Sequence, residues 1–384
     1  MLPYLQLQLG YLLISGALVF AADRLCGRSA RLASSPRLRA LATLVALGVP
    51  LAAWVVGVKI VDDIHSTYQF IGIAFGFYAA AIWLPLFALV RMARARKLDR
   101  VLASACLLAV LGGQYALWIE PNRLVTSTYT IAFPQWPAGE PPLRIVHVSD
   151  LQTVGECARE HEAAAAINSL QPDMIVITGD YVSGPFFDAG PAIAAARAFL
   201  VSLKKPRYGI VCIAGHSEPD RVRDQVFAGL DVTYLRNEEL ELDLGGAHGV
   251  RKLRLFGALT LGIDLSKLAT RREPGLVTLV ATHEPDVSWE LEHRGVDLHL
   301  AGHTHGGQIA FPLIGAPLTL SSLPRRFARG LHEFGDHLIH VNPGIGMEGD
   351  NAPRIRFLCP PEIDLLLLTG GGAPRNPSPP PSRS

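Results

Sequence analysis

Four apolar stretches of membrane-spanning length stand in the first third of the chain, at Leu5–Ala22, Ala40–Ile60, Tyr68–Val90 and Val101–Ile119. A bilayer core of about 30 Å takes roughly 20 apolar residues per helix. Inside it, backbone amides have no water to bind, so such stretches are expected as helices. Four in succession favour a membrane region over buried soluble helices. Pro85, inside the third stretch, is tolerated in a membrane helix. The first stretch has no preceding Lys or Arg and no clear small-residue cleavage site, so it reads as a span rather than a signal peptide. The chain is 49% hydrophobic, and the excess lies before Ile119. Residues 1–122 are therefore expected to form a four-helix anchor, with a soluble domain at 123–369.

The connecting loops set an orientation. Arg24, Arg28, Arg31, Arg37 and Arg39 crowd the first, and Arg91, Arg94, Arg96, Lys97 and Arg100 the third. The second carries Asp62, Asp63 and His65, with Lys59 at its edge, and reads as a solvated loop. Basic loops stay cytoplasmic. The expectation is a multi-pass protein of the cytoplasmic membrane whose residues after Ile119 lie on the extracytoplasmic side.

Past Asn122 the pattern changes from long apolar runs to short ones. Val125–Phe133 alternates as a strand, and the Pro-rich stretch 134–142 turns the chain. Five short apolar runs then each end in a side chain competent to bind metal. Leu143–Val148 leads to Asp150 and Gln152, Met174–Thr178 to Asp180, and Gly209–Ala214 to His216 and Glu218. Leu276–Thr282 leads to His283, and Val296–Ala301 to His303 and His305 between Gly302 and Gly306. Helical patterns at Glu160–Leu170 and Pro191–Leu203 alternate with some of these runs, which predicts an α/β arrangement. Ligands in such folds gather at the carboxyl ends of strands, so the clusters should converge. Leu253–Leu261, Leu338–Val341 and Glu362–Thr369 read as further strands.

The order Asp150-Leu151-Gln152, Gly179-Asp180, Gly215-His216-Ser217-Glu218, His283 and Gly302-His303-Thr304-His305 resembles the calcineurin-like metallophosphoesterases, in particular their membrane-associated branch. The likeness runs from about Leu143 to Leu368 and includes Val341-Asn342-Pro343-Gly344-Ile345-Gly346. It implies a β-sandwich flanked by helices and a pair of divalent metal ions. Asp180 would bridge the ions, Asp150, Gln152 and His305 would complete one shell, and His216, His283 and His303 the other. Such a mixed oxygen and nitrogen set suits Mn, Fe or Zn.

Two positions depart from the family pattern: Gln152 stands for a histidine ligand, and His216-Ser217 for Asn-His. The family's histidine that protonates the leaving group is thus a serine here, and a serine hydroxyl is too weak an acid at neutral pH. His216 is therefore a candidate both as ligand and as displaced acid, with Glu218 or Tyr181 as substitutes.

The remaining features add little chemistry. His147 and His299 read as packed beside the site; His161, His248, His293, His332, His337 and His340 read as surface or strand residues. Arg325, Arg326 and Arg329 form a basic cluster open to a phosphate, a lipid headgroup or plain solvent, and Phe186 and Phe187 could touch a lipid chain. Five cysteines without CxxC spacing make no disulfide framework, and a Cys157–Cys359 bridge has no support in the sequence. A formal net charge of +1 gives no pull toward a nucleic-acid polymer. Residues 370–384, rich in Pro, Ser and Gly, are expected to be disordered. The expected function is a membrane-anchored phosphoesterase, with a phospholipid or lipid-linked headgroup as favoured substrate. A metal-binding pseudoenzyme and a nucleotide phosphodiesterase are the alternatives.

Overall fold

The computed structural model describes residues 2–26, 28, 29, 34, 35, 37–43, 45, 76–94, 100–155, 158–183, 189–216, 219–258, 263–268, 273–348 and 354–372. Two compact units divide at Ile119 and Glu120.

The first unit contains α1 (Leu2–Cys26), α2 (Gly76–Arg94) and α3 (Arg100–Gln114). Among the described residues three helices, with α3's apolar stretch continuing to Asn122, are long and apolar enough to cross a membrane. Four were expected; most of the second, Ala40–Ile60, falls outside the described residues. Asp23, buried near the end of α1, is paired with Arg39 at 2.6 Å and with Arg91 of α2. A carboxylate so far from water needs such partners. This cluster gathers one arginine from each of the two basic loops.

The second unit is built on twelve strands. In chain order they are β1 (Val125–Phe133), β2 (Leu143–Val148), β3 (Met174–Ile177), β4 (Ile210–Ile213), β5 (Thr233–Leu235) and β6 (Glu238–Asp243), followed by β7 (Lys252–Gly257), β8 (Leu276–Ala281), β9 (Leu298–Ala301), β10 (Gly330–Phe334), β11 (His337–Val341) and β12 (Glu362–Gly370). They form two six-stranded sheets, ordered β1-β12-β2-β3-β4-β5 and β10-β11-β9-β8-β7-β6. β2, β3, β4 and β5 run parallel in the first, as do β7, β8, β9 and β11 in the second.

Side chains alternate across β2. Leu143 and Ile145 face a core shared with Leu253, Leu279, Leu298 and Leu300 of the other sheet. Val146 and Val148 face α4 (Ala158–Ser169), α5 (Gly190–Ser202) and α6 (Asp220–Phe227). The second sheet's outer face is covered by short elements carrying Leu265, Leu268, Val287 and Leu291. The result is a sandwich flanked by helices, as expected. Central strands buried on both faces read as continuous apolar runs.

The strands the sequence did not disclose are β5, β6 and β10, all at sheet edges. β6, Glu-Glu-Leu-Glu-Leu-Asp, keeps its charges at the open edge, where charge discourages pairing with another chain. The expected strand Leu253–Leu261 ends at Gly257, with 259–262 outside the described residues.

Candidate metal centre

Every predicted ligand lies just past a strand end: Asp150 and Gln152 after β2, Asp180 after β3, His216 after β4, His283 after β8, His303 and His305 after β9. The turns that carry them are strained. Asp150, Gln152, Asp180, His303 and His305 all have positive φ, between 38° and 68°. Left-handed backbone costs non-glycine residues on the order of 1–3 kcal/mol and collects at functional sites. Gly302 allows the two sheets to close there, because a Cβ on it would collide with the Ser149 hydroxyl and lie 2.5 Å from Asp150 Oδ2. The loops interlock through His303 N to Asp150 Oδ2 (3.0 Å) and His216 N to Asp180 Oδ1 (2.7 Å).

Two groups of potential ligands emerge, each with its atoms within 4.8 Å of one another: Asp150, Asp180 and His283, and His216, His283 and His303. His283 belongs to both. Its Nδ1 donates to the Thr178 carbonyl at 2.7 Å, so the Nε2 lone pair faces the carboxylates, 3.2 Å from Asp180 Oδ2 and 3.9 Å from Asp150 Oδ1. His303 Nε2 donates to the Leu320 carbonyl at 3.1 Å, which leaves the Nδ1 lone pair available to a metal. Second partners of this kind fix tautomer and ring orientation in metal sites. His305 Nε2 lies 3.4 Å from Asp150 Oδ1. The exposed His216 has Nδ1 3.5 Å from Glu284.

The electrostatics fit a cation. Burial, with Asp180 nearby, pushes the Asp150 carboxyl up to about 6 even against His283. Burial would lower His283, yet Asp180 and Asp150 override it and raise the imidazole to about 10. Burial, then His283 and His216, brings His303 down to about 3, and burial with Arg356 holds His305 well below its usual range. Asp150 Oδ1 and His283 Nε2 are buried without a hydrogen bond, an arrangement that is costly in protein alone. Buried carboxylates facing imidazole nitrogens are what a divalent ion would satisfy, displacing the proton that His283 otherwise holds.

The proposed acids fare differently. Tyr181 is buried, and its hydroxyl faces the carbonyls of Ile213 at 2.9 Å and Ile177 at 3.2 Å, a structural role that takes it away from acid catalysis. Ser217 and Glu218 lie outside the described residues, as do Phe186, Phe187 and Cys157. Cys359 is a free, buried thiol. His147 and His299 are packed as expected, His299 between Thr282 and Ser288 at 2.7 Å each. His147 meets His340 of the opposite sheet at 2.8 Å. His337 and His340 are buried strand residues.

Three residues escaped the sequence reading. The fully buried Arg356 donates to the carbonyls of Pro343, Gly344 and Gly346 at 2.8, 3.1 and 2.5 Å, bracing the loop after β11 against the site. Glu348, at the end of that loop, accepts from Gln152 Nε2 at 3.0 Å and lies 4.0 Å from His305 Nε2. Glu284 shares the His283 turn. The only available signal was position: Glu284 follows His283 at the end of the apolar run Leu276–Thr282, whereas Arg356 and Glu348 lie at the end of none.

The family of calcineurin-like phosphoesterases matches residues 143–307. The chain is 30% identical over 276 residues to the uncharacterized metallophosphoesterase YkuE of Bacillus subtilis, covering 70% of this chain and 93% of that one. It is 27% identical over 274 residues to the phosphodiesterase YaeI of Escherichia coli, covering 69% and 96%. It is 26% identical over 323 residues to the UDP-2,3-diacylglucosamine pyrophosphatase LpxG of Chlamydia trachomatis, covering 68% and 96%. With candidate ligands at strand ends in the family's order and relatives matched over nearly their full length, the chain belongs to the calcineurin-like metallophosphoesterases and is a phosphoric ester hydrolase.

Proposed function

We propose that the chain is a membrane-anchored, dinuclear phosphoesterase that cleaves a phosphate ester of a phospholipid or lipid-linked headgroup outside the cytoplasmic membrane. The observation behind the dinuclear reading is that two candidate ligand groups adjoin, Asp150, Asp180 and His283 in one and His216, His283 and His303 in the other; the one free lone pair of His283 serves a single ion, so the Asp180 carboxylate is the group able to serve both. Asp150, Asp180 and His305 would hold one ion and His216, His283 and His303 the other, with Gln152 beside the first and Mn, Fe or Zn as the metal. A bound pair of such ions supplies phosphate charge neutralisation and an activated water.

The chain's own groups prepare that chemistry. Asp180 suits a bridging role, since His216 N binds Oδ1 while Oδ2 faces His283 and Gln152. Thr178 and Leu320 present the lone pairs of His283 and His303 inward. Glu284 steadies the His216 ring. Glu218, two residues beyond His216, is the acid we assign to the leaving oxygen in place of the family's histidine, with His216 itself as the alternative donor.

A lipid substrate is supported by a surface cavity of about 400 Å³ reaching Gly306, lined by Arg325, Arg326, Arg329, Phe311, Ala316 and Leu358. Guanidinium groups match phosphate oxygens, and the neighbouring loop leaves Leu313 and Ile314 exposed to accept an acyl chain. The relative LpxG is a pyrophosphatase of UDP-2,3-diacylglucosamine, a substrate of this mixed character. The Asp23 cluster supports placing both basic loops on one side, the parity that the extracytoplasmic assignment needs.

The test uses the full chain in detergent with added Mn, compared with Asp180→Asn. Wild type should bind two ions and turn over an activated aryl phosphodiester, with lipid phosphoesters preferred to nucleotides; the variant should lose most metal and activity. Equal metal content in both proteins would remove the dinuclear reading. Metal without turnover would indicate a pseudoenzyme, and preference for nucleotides a nucleotide phosphodiesterase.

A further inference from the structure

We propose that Glu348 is a metal ligand and that Gln152 positions it, so that a carboxylate occupies the coordination position vacated by the family's second ligand. The inference rests on the dinuclear reading above and concerns the ion held by Asp150 and His305. Three observations lead to it. The amide Nε2 of the fully buried Gln152 points at two carboxylates, 3.0 Å from Glu348 Oε2 and 3.2 Å from Asp180 Oδ2. A nitrogen turned that way is a hydrogen-bond donor and places no lone pair on a metal. Glu348 Oε2 also lies 4.0 Å from His305 Nε2, which is itself 3.4 Å from Asp150 Oδ1. The carboxylate thus lies beside His305, one of that ion's expected ligands, whose ring in turn reaches Asp150.

The segment carrying Glu348 is held in place. Ile345 N donates to the Ser149 carbonyl at 3.1 Å and Gly346 N to the Asp150 carbonyl at 2.7 Å. Arg356 grips the same segment from the other side through Gly346 O. Glu348 is therefore indexed to the Asp150 turn, two residues beyond its last clasp, with a side chain that remains partly exposed. Exchanging a neutral imidazole for this carboxylate adds a negative charge and a hard oxygen to the shell. Such a shell binds Mn better relative to Zn than a histidine-bearing one does. Gln152 then acts as an outer partner, orienting Asp180 and Glu348 together.

The experiment reads bound metal directly. Mn is titrated into full-length wild type, Glu348→Gln, Glu348→Asp and the double variant Gln152→His/Glu348→Gln, with free Mn followed by electron paramagnetic resonance and Zn binding by competition. Wild type should bind two ions. Glu348→Gln should bind one of them more than about 100-fold more weakly, beyond the 10- to 100-fold that loss of an outer partner costs, and Glu348→Asp should fall between the two. The double variant should regain the lost ion with preference shifted toward Zn. Two ions bound to Glu348→Gln with wild-type affinity would overturn the inference while leaving the dinuclear reading intact. Fewer than two in wild type would overturn that reading itself. If neither single variant folds with or without Mn, Glu348 is a structural residue and the inference falls.

Discussion

Gly302→Ala should damage the metal centre without replacing a candidate ligand. The new methyl would overlap the Ser149 hydroxyl and approach Asp150 Oδ2 to 2.5 Å. Retreat is blocked on the far side, because Gly302 N donates to the His283 carbonyl at 2.9 Å and Asp150 Oδ2 already accepts from His303 N at 3.0 Å. Ser149 is tied in turn to the Thr178 carbonyl at 3.1 Å. The strain must therefore move the Asp150 carboxylate or pry the loop away from it. Overpacking of this kind costs about 1–3 kcal/mol. If most of that falls on the bound geometry, Mn affinity should drop roughly 5- to 150-fold, at about 1.4 kcal/mol per factor of ten. Calorimetric titration of Mn into the chelator-stripped protein measures it. Gly190→Ala is the control, since a Cβ there meets nothing within 4 Å. Affinity of Gly302→Ala within twofold of the control would refute the argument that Gly302 sets the position of Asp150.

Two further outcomes are expected. Burial pushes the Cys212 thiol up to about 12, whereas an unburied thiol ionises near 9.0. The unfolded chain therefore gives up this proton first; the stability it reflects is intact below pH 9 and falls at higher pH by about 1.4 kcal/mol per unit, until about pH 12. Urea midpoints at pH 8 and pH 10 should separate for wild type and less so for Cys212→Ala, and an equal drop in both would refute this. A reporter enzyme active only outside the cytoplasm, fused to the C-terminus, should be active; activity from a cytoplasm-only reporter instead would reverse the sidedness.

The sandwich was legible where strands are central. β2, β3, β4, β8 and β9 are buried on both faces, so their composition alone announces them, and each ends at a ligand. Edge strands such as β6 disguise themselves with the charges that keep them from pairing. The candidate ligands stood out in the sequence because glycines and short apolar runs bracket them. Arg356 and Glu348 were not, because they arrive from a loop without periodicity and owe their roles to the folding of that loop over Asp150. Gln152 shows a different limit. Its identity suggested a carbonyl ligand, and only the neighbouring carboxylate, distant in sequence, reveals which end of the amide faces inward.

The candidate ligands are divided between the two sheets: Asp150, Asp180 and His216 belong to the first, and His283, His303 and His305 to the second. Each strand step is about 3.3 Å, so a slip of one sheet against the other by even a single step would carry half the ligands out of reach of the rest. A metal bound there would work as a rivet through the seam of the sandwich and would report on the alignment of the whole domain. Neither sheet alone carries the whole set. A split of the domain along that seam, or a shear that leaves both hydrophobic faces covered, would preserve much of the fold and lose the enzyme.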